Sequence, residues 1–554
     1  MEPRRIVLAV VLMAAVLLVT PYLFPTPTPV PGARKATADS AQTVSDSSAP
    51  SVRGAVAGDA LGVPVAPAEP AVVLPVDTAV VNTAVADYRT TSKGAALIGA
   101  SLTQFQALSN GGRTRSGTVE LALPNERMLG YRLVVPGDTI DLTTQTFRST
   151  QSADGDNTVI TYEADLAGRL VSIRYSFLPD SYRVNVAAAV AGVPENSYLL
   201  VDLPTGFRSS ESDTTEDHSH LAYAYKPELS GAEGIAFHSV DPGEREIDAG
   251  PITWGVAKNK YFIVGVLAPK GGTPFAEINV TGGPRINDEA VRGQATLVTP
   301  LKAGNAAFEV YVGPQEFKRL VALGREFETS NPYGGWIQGI VQPFATIVIR
   351  LLLWMKSTLG LSYGWILVIF GVAIRIILWP LNQKAMRSSM QMQRIQPELQ
   401  AIQTRYKNEP QKLQQAMMEL YKEHGMSPFS SLSGCLPMLI PLPVFFALFF
   451  VFQNTIEFRG VPFLWFPDIS VKDPYYVIPV LVAATTMLMS WIGLRGTKSN
   501  EQQKMMMYLM PGIMLVFFFS MASGLNLYYF IQNLASLPQQ WLISQERTKP
   551  LVKG

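Results

Sequence analysis

The sequence predicts a multi-spanning α-helical membrane protein with six transmembrane helices, a large all-β sandwich outside the cytoplasm and a cytoplasmic helical hairpin. The chain has 554 residues, which is too long for one ordinary domain, and 47% of them are hydrophobic. Long apolar segments fill the last third of the chain, whereas short alternating runs fill the middle. The net charge of +1 argues against direct nucleic-acid binding. The single cysteine, Cys435, excludes an intrachain disulfide.

Residues 1–24 are predicted to form a transmembrane anchor. Arg4 and Arg5 precede an apolar run that is longer than the core of a signal peptide and ends without a small-residue cleavage site. An uncleaved anchor is therefore favoured over a cleaved signal peptide, with its start in the cytoplasm. Residues 25–70 are rich in Pro, Ala and Ser, so they predict a flexible linker that cannot bury enough apolar area to fold.

Residues 71–330 are predicted to form the β-sandwich domain. Their short runs alternate with period two and are separated by Gly, Pro, Asn and Asp, as expected of strands with one solvated face. The clearest runs are Thr158–Tyr162, Arg169–Tyr175, Tyr182–Val186 and Phe308–Val312. A short helix is expected from Phe317 to about Phe327. Because the anchor carries the chain outward, the sandwich is expected outside the cytoplasm.

The predicted sandwich contains no recognisable nucleophile–base pair or phosphate loop, so a structural or protein-contact role is expected. Asp217, His218 and His220 could hold a metal ion, but they lie in a polar run without a partner motif. A solvated loop is therefore the favoured interpretation. A membrane-anchored enzyme or sugar-binding protein remains an alternative, which paired carboxylates in a cleft would favour.

The C-terminal part of the chain is divided by its apolar segments. Residues 331–361 read as a helix lying in the outer membrane interface, because polar side chains recur along it. Residues 362–383 form the second span, residues 384–427 a cytoplasmic hairpin and residues 428–545 the remaining spans. Residues 546–554 form a short cytoplasmic tail.

The apolar stretch from Met505 to Leu537 could be one long tilted helix or two short ones. Only two helices place the flanking basic residues on the side of Arg4 and Arg5, so six spans with both termini in the cytoplasm are predicted. The fifth span, from about Tyr508 to Ser520, would reach only ~20 Å. A hydrocarbon core is ~30 Å thick, so a locally thinned bilayer is expected.

Arg375 lies alone among apolar residues in the second span. Such a position costs roughly 2.5–3.5 kcal/mol, so its side chain should face protein or water instead of lipid. Gly371 and Gly364 share its helical face and predict room for a ligand beside the guanidinium. The alternative is that Arg375 extends toward the interface near Lys384.

Polar residues recur on the last span. Tyr529, Gln532, Asn533 and Ser536 share one helical face, and Thr485 lies in the span Tyr475–Leu494. Such residues often do no more than form hydrogen bonds between helices. If they face the same space as Arg375, they form a hydrophilic, positively charged cavity. The predicted spans carry no acidic residue, so a carboxylate for Arg375 would come from another molecule.

The cytoplasmic segment Lys384–His424 predicts a helical hairpin. Apolar residues recur at spacings of three and four on both sides of Pro410 and form a narrow seam. The hairpin could be a solvated spacer or a docking arm. The candidate docking residues are Met386, Met390, Arg394, Met417 and Met418.

Three segments and the arginine helix strongly resemble the YidC membrane protein insertases. The segments are Gly434–Leu448 (GCLPMLIPLPVFFAL), Asp473–Pro479 (DPYYVIP) and Ser523–Asn533 (SGLNLYYFIQN). The resemblance is specific over Tyr363–Gln545. An anchor followed by a large β domain is the Gram-negative form of the family, so the resemblance implies an inner-membrane protein whose sandwich is periplasmic.

The resemblance implies an insertase, not an enzyme, that passes nascent membrane proteins through a groove into the lipid bilayer without nucleotide or cofactor. Arg375 and Tyr529 match the groove residues, and the hairpin matches the arm that contacts the ribosome or targeting factors. The family also works with the Sec translocon. Gly371 and Pro441 stand where some relatives carry a hydroxyl residue and a glutamine. A solute transporter that binds anions through Arg375 is the competing interpretation, although the spans show no internal repeat.

Overall fold

The computed structural model describes residues 75–109, 111–166, 168–331, 338–407, 409–424, 442–494 and 501–548. The predicted anchor and linker, Cys435, Pro441 and the tail beyond residue 548 lie outside these ranges. The side chains of Met390 and Arg394 also lie outside the described part, although the backbone there is helical.

The middle of the chain is a β domain, as predicted. Its strands are β1 (Thr78–Asn82), β2 (Ala86–Thr91), β3 (Ala96–Ser109), β4 (Thr114–Glu120), β5 (Gly130–Val135), β6 (Asp138–Asp141), β7 (Arg148–Asp154), β8 (Asn157–Leu166), β9 (Arg169–Phe177), β10 (Arg183–Val190), β11 (Tyr198–Asp202), β12 (Ala222–Pro227), β13 (Glu233–Ala236), β14 (Arg245–Lys258), β15 (Phe262–Leu267), β16 (Phe275–Gly282), β17 (Gly293–Pro300) and β18 (Asn305–Pro314). In β10 every second side chain, from Val184 to Val190, is buried, which confirms the alternation read from the sequence.

The strands form two antiparallel sheets. The smaller has the order β1-β2-β3-β4, and the larger runs from β6 to β7 through β5-β11-β17-β16-β14-β15-β18-β10-β9-β8, with β12 and β13 branching from β14. The N-terminal half of β14 pairs with β16, whereas its C-terminal half pairs with β12 and β15. A register shift between Ala249 and Ile252 marks the change, as a bulge does where a sheet bends.

The helices are α1 (Thr214–Ser219), α2 (Phe317–Leu323), α3 (Gln338–Leu359), α4 (Tyr363–Ile377), α5 (Trp379–Arg405), α6 (Pro410–Glu423), α7 (Leu442–Asn454), α8 (Val477–Leu494), α9 (Glu501–Phe519) and α10 (Ser523–Thr548). The predicted short helix after the sandwich is confirmed as α2. Helices α3, α4, α7, α8, α9 and α10 share one apolar core that is separate from the core of the β domain.

The membrane part agrees with the prediction only in part. Within the described ranges, α8 is the one single helix long and apolar enough to cross a membrane. Residues 341–359 and α4 make a second candidate as a pair bent by 117°. The stretch after Met505 is two helices, α9 and α10, and the apolar part of α9 spans only Met507–Phe519. Six spans are therefore not confirmed.

The predicted solvated loop around His218 is wrong. Residues 214–219 form α1, and both Asp217 and His220 are buried. Burial, and secondly the nearby charge of Lys260, lower the pKa of His220 to about 4. His218 bonds Glu289 at 2.9 Å. Among the residues that the structure describes, no group of three or more His, Cys, Asp and Glu side chains could hold a metal ion.

The sandwich rests on the loop between α7 and α8. Arg459 in this loop pairs with Glu211 at 2.8 Å, and both side chains are almost completely buried. The same guanidinium donates to the Gln106 carbonyl at 2.9 Å. Lys472 lies 3.5 Å from Asp213. Residues 455–476, together with the sandwich residues that they contact, are called the junction. Two opposite-charge pairs, Arg459 with Glu211 and Lys472 with Asp213, hold the junction together.

Candidate functional site

The face of α4 that carries Gly371 is packed, not open. A Cβ on Gly371 would lie 3.1 Å from Cγ2 of Ile531 on α10, and one on Gly364 would lie 2.1 Å from the Phe463 ring. The space that the sequence left for a ligand is thus filled by neighbouring side chains. The two glycines allow a close approach of α10 and of the α7–α8 loop to α4.

Arg375 is held by a neutral partner on α10. Its Nη2 donates to Oε1 of Gln539 at 2.8 Å, and Nε2 of Gln539 donates to the Trp379 carbonyl at 3.0 Å. A carbonyl oxygen can only accept a hydrogen bond, so the amide nitrogen of Gln539 must face Trp379. The amide oxygen of Gln539 therefore faces the guanidinium. Gln539 is only 1% exposed. The neutral amide orients Arg375, and no carboxylate in the described part of the chain pairs with its guanidinium.

The rest of the Arg375 guanidinium borders a shallow groove of about 430 Å³ between α4 and α10. Its remaining lining is uncharged: Val372, Ile376, Trp379, Ile531, Leu534 and Ala535. The Nε atom of Arg375 is buried and has no hydrogen-bond acceptor among the described atoms. The Arg375 guanidinium therefore borders a groove whose other lining is uncharged, and a carboxylate that entered this groove would be attracted to it.

The predicted polar face of α10 is divided among four neighbouring helices, α4, α7, α8 and α9. Gln532 turns to α4, where its Nε2 donates to the Gly371 carbonyl at 2.9 Å. Asn533 turns to α8 and donates to Thr485 Oγ1 at 3.1 Å. Tyr529 packs against Phe445 and Phe518. Of the predicted groove residues, the structure brings Gln532 and Gly371 to the α4–α10 contact, whereas Asn533 and Thr485 link α10 to α8.

Gln539 was missed in the sequence. It lies seven residues after Gln532, so both occupy one face of α10. That spacing was the available signal, but many polar residues follow on the same segment. Which of them meets Arg375 depends on how α10 is rotated against α4, and the sequence does not specify that rotation.

The predicted cytoplasmic hairpin is formed by α5 and α6. Its seam buries Ile395, Leu399, Leu420 and Tyr421, and Met417 packs partly against them. Met417 therefore contributes to the seam, as its spacing in the apolar repeat after Pro410 predicts, and it remains a docking candidate. Met418 is 39% exposed and Met386 is half-buried.

Comparisons with known proteins give two family matches that together cover most of the chain. The family described as "YidC periplasmic domain" matches residues 78–347, and "60Kd inner membrane protein" matches residues 354–550. A membrane protein insertase YidC from Chloroherpeton thalassium is 33% identical over 428 residues, which are 72% of this chain and 71% of the relative. The Chlorobaculum tepidum insertase is 31% identical over 71% and 69%.

Among solved structures, an active YidC insertase with its first transmembrane domain resolved is 20% identical and covers 84% of this chain and 92% of its own, with a TM-score of 0.34. A galactose mutarotase-like protein from Lactobacillus casei is 9% identical and covers 43% of this chain and all of its own, with a TM-score of 0.30.

A β domain joined to a bundle of apolar helices, with these relatives, defines a membrane protein insertase. The chain belongs to the YidC family. The family descriptions assign the helical part to inner-membrane proteins and the sandwich to periplasmic domains, so the sandwich is called the periplasmic domain from here on.

Proposed function

We propose that this insertase admits the acidic translocated segment of a client protein to the groove beside Arg375. The observation that carries the proposal is the partner of that arginine: its one described side-chain hydrogen bond is to the neutral amide of Gln539. A cation that already had a carboxylate partner would offer a client little. Arg375, oriented but not neutralised, offers the client a full positive charge in a weakly screened setting.

The walls of the groove suit the apolar part of the client. Ile376 on α4 is 65% exposed and Leu534 on α10 is 39% exposed, so both present apolar surface to a passing helix or to lipid. The acidic segment would rest at Arg375 while the client helix partitions along these walls into the bilayer. Hydrophobic partition supplies the free energy, so the proposal needs no nucleotide.

The membrane arrangement is part of the proposal. Six spans with cytoplasmic termini place Arg375 in the second span and the periplasmic domain outside, with α3 in the outer interface. The short apolar part of α9 supports a locally thinned bilayer, because thirteen residues reach only about 20 Å. A thinner bilayer shortens the distance that the polar segment of the client must cross.

The cytoplasmic hairpin is proposed as the docking arm for the ribosome or a targeting factor, and the Sec translocon as a partner in part of the work. Met418 supports this role because its side chain projects outside the seam of the hairpin. A methionine can adapt to differently shaped apolar partners, which suits an arm that receives more than one. Exchange of Met418 for Ser should weaken ribosome co-sedimentation.

The proposal is tested with purified protein in sealed liposomes without other proteins or nucleotide. A small client with a short acidic translocated tail is added, and protease protection of the tail is measured. Protection above that of empty liposomes is expected with wild type. Arg375→Lys should retain most of it, whereas Arg375→Glu should lose about tenfold or more because it repels the tail.

Two results would contradict the proposal. The first is equal protection of the tail by wild type, Arg375→Lys and Arg375→Glu. The second is background protection by wild type while the liposomes leak small anions, which is what an anion transporter would do.

A further inference from the structure

The loop between α7 and α8 carries an exposed apolar turn. Phe463 and Phe466 exchange both backbone hydrogen bonds, at 3.0 and 2.9 Å, so Leu464 and Trp465 alone make the turn between them. Leu464 has a φ of 52°, a backbone conformation that suits glycine or asparagine better than leucine. Its side chain is also 63% exposed. In water this turn would combine a strained backbone with an unburied leucine.

The base of the turn is fixed to α4. Phe463 and Phe466 are both buried, and the Phe463 ring packs edge-on against Trp365 of α4 at a centroid distance of 5.4 Å. The indole N–H of Trp465 donates to Oδ1 of Asp473 at 3.2 Å. This bond satisfies the one polar group of the indole, so the exposed part of its ring is apolar. The turn therefore presents two apolar side chains on a fixed support.

Asp473 also places the turn beside the beginning of α8. Its Oδ2 accepts the Ile478 N–H at 2.8 Å in the first turn of that helix. Because α8 is long and apolar enough to cross a membrane, the membrane surface is expected at this end of the helix. Tyr475 and Tyr476, directly before α8, are exposed, which is typical of aromatic residues at a membrane interface. The turn therefore lies at the expected level of the lipid headgroups.

The exposed apolar surface continues from the turn onto the membrane helices. Trp365 near the start of α4 and Val480 near the start of α8 are both half-exposed. The two cations of the loop, Arg459 and Lys472, pair instead with carboxylates of the periplasmic domain. The loop thus has a charged side that meets the domain and an uncharged tip that continues the surface of the membrane helices.

We propose that the turn Leu464–Trp465 inserts into the outer leaflet of the bilayer beside α4. Its partner is the boundary between headgroups and acyl chains, where the leucine leaves water and the indole ring is favoured. Burial of the leucine in lipid offsets the cost of its strained backbone. The choice of leaflet rests on the membrane arrangement proposed above, whereas lipid contact is independent of the function proposed for Arg375.

The first test measures lipid contact of the tip in liposomes of zwitterionic lipid without other proteins. The single native cysteine is removed by Cys435→Ser, and a nitroxide is attached to Leu464→Cys. Oxygen, which concentrates among acyl chains, should relax this nitroxide more than a water-soluble nickel chelate does, at a depth of about 5–10 Å. Added salt should not change the depth, because the tip carries no charge.

Leu170→Cys in the same background is the matched control. Leu170 is 52% exposed and lies at the end of the sheet where β18 begins, whereas the other end of β18 leads to the Phe317–Glu457 contact at the junction. The nickel chelate should relax its nitroxide more than oxygen does. A nitroxide on Leu464→Cys that behaves like this control would overturn the proposal, also if the tip needs a protein partner instead of lipid.

A second measurement needs no label on the turn. Asparagine adopts a positive φ more readily than leucine and is well solvated, so in water Leu464→Asn would stabilise the turn. In lipid the amide is unfavourable, and limited proteolysis of the loop in nanodiscs should become about fivefold faster or more. Leu464→Met keeps the apolar contact and should stay within about twofold of wild type. Equal or slower proteolysis of Leu464→Asn would overturn the proposal.

Insertion assays separate this proposal from the one for Arg375. A tip in water, in a protein that still protects client tails, would overturn lipid contact alone. A tip in lipid, in a protein that fails to protect client tails, would uphold lipid contact and contradict the function proposed for Arg375.

Discussion

Two buried arginines in this protein, Arg459 and Arg375, have hydrogen-bond partners of different charge. Arg459 at the junction pairs with Glu211 at 2.8 Å and is held on several sides. Arg375 between α4 and α10 bonds the amide of Gln539, also at 2.8 Å, and its Nε has no acceptor within the described ranges. The distances are the same, but the partner of Arg459 is charged and the partner of Arg375 is not.

The difference separates a structural cation from an available one. In a buried ion pair each charge is compensated by the other, so removing either partner leaves the remaining charge buried without compensation. A guanidinium bonded to a neutral amide is oriented, yet its charge still attracts any carboxylate that enters. The junction is therefore expected to matter for the position of the periplasmic domain, and the groove for the choice of client.

The largest expected effect comes from Arg459→Ala. It leaves the buried Glu211 without its partner, which should destabilise the junction by about 3–5 kcal/mol. The measurement is the rate of limited proteolysis in the loop after Asn454 in nanodiscs. Glu211→Gln added to Arg459→Ala should recover part of the loss, because it removes the stranded charge. An unchanged rate in Arg459→Ala would contradict the structural role of this pair.

The junction contains a second buried carboxyl group, that of Glu457, which has no cationic partner like Arg459 in the described ranges. Glu457 accepts the Phe317 N–H at 3.0 Å, and its buried Oε2 atom has no hydrogen-bond donor among the residues that the structure describes. Burial raises the pKa of Glu457 to about 7. Since the folded protein holds this proton more tightly than the unfolded chain, the contribution of Glu457 to stability falls as pH rises from about 4.5 to 7.

Glu457→Gln mimics the protonated acid and should remove that loss. The expected gain is about 3 kcal/mol near pH 8 and about 1 kcal/mol near pH 5. Thermal unfolding of the full chain in nanodiscs at both pH values measures it. A gain of the same size at both pH values would show that titration of this carboxyl is not the cause.

The smallest predicted effect concerns the link between α10 and α8. Asn533→Leu and Thr485→Val each remove one partner of the Asn533–Thr485 hydrogen bond. A double-mutant cycle should give a coupling of about 0.6 kcal/mol, as for other interhelical hydrogen bonds in membranes. Insertion of acidic and neutral clients should fall equally, if at all. A selective loss of acidic clients would mean that Asn533 belongs to the groove after all.

The sequence predicted features that depend on local pattern and missed those that depend on how helices meet. Alternation was sufficient for β8 to β10, and the apolar context was sufficient to single out Arg375. The role of Gly371 depended on which side chain of α10 would fill the space beside it, and that was Ile531. Met417 packs partly in the seam, as its place in the apolar repeat predicted, whereas Met418 beside it on α6 is exposed.

The most direct measurement on the central claim is Gln539→Glu in the liposome assay. This change keeps the shape of the side chain but places a carboxylate against Arg375, converting the groove arginine into a paired one like Arg459. Protection of an acidic client tail should fall about tenfold, while protection of a neutral tail should not change. Gln540→Glu, the same change one position further on, is the control and should leave both unchanged. An equal fall for both tails in Gln539→Glu, or no fall for the acidic tail, would contradict the claim that the uncompensated charge of Arg375 selects the client.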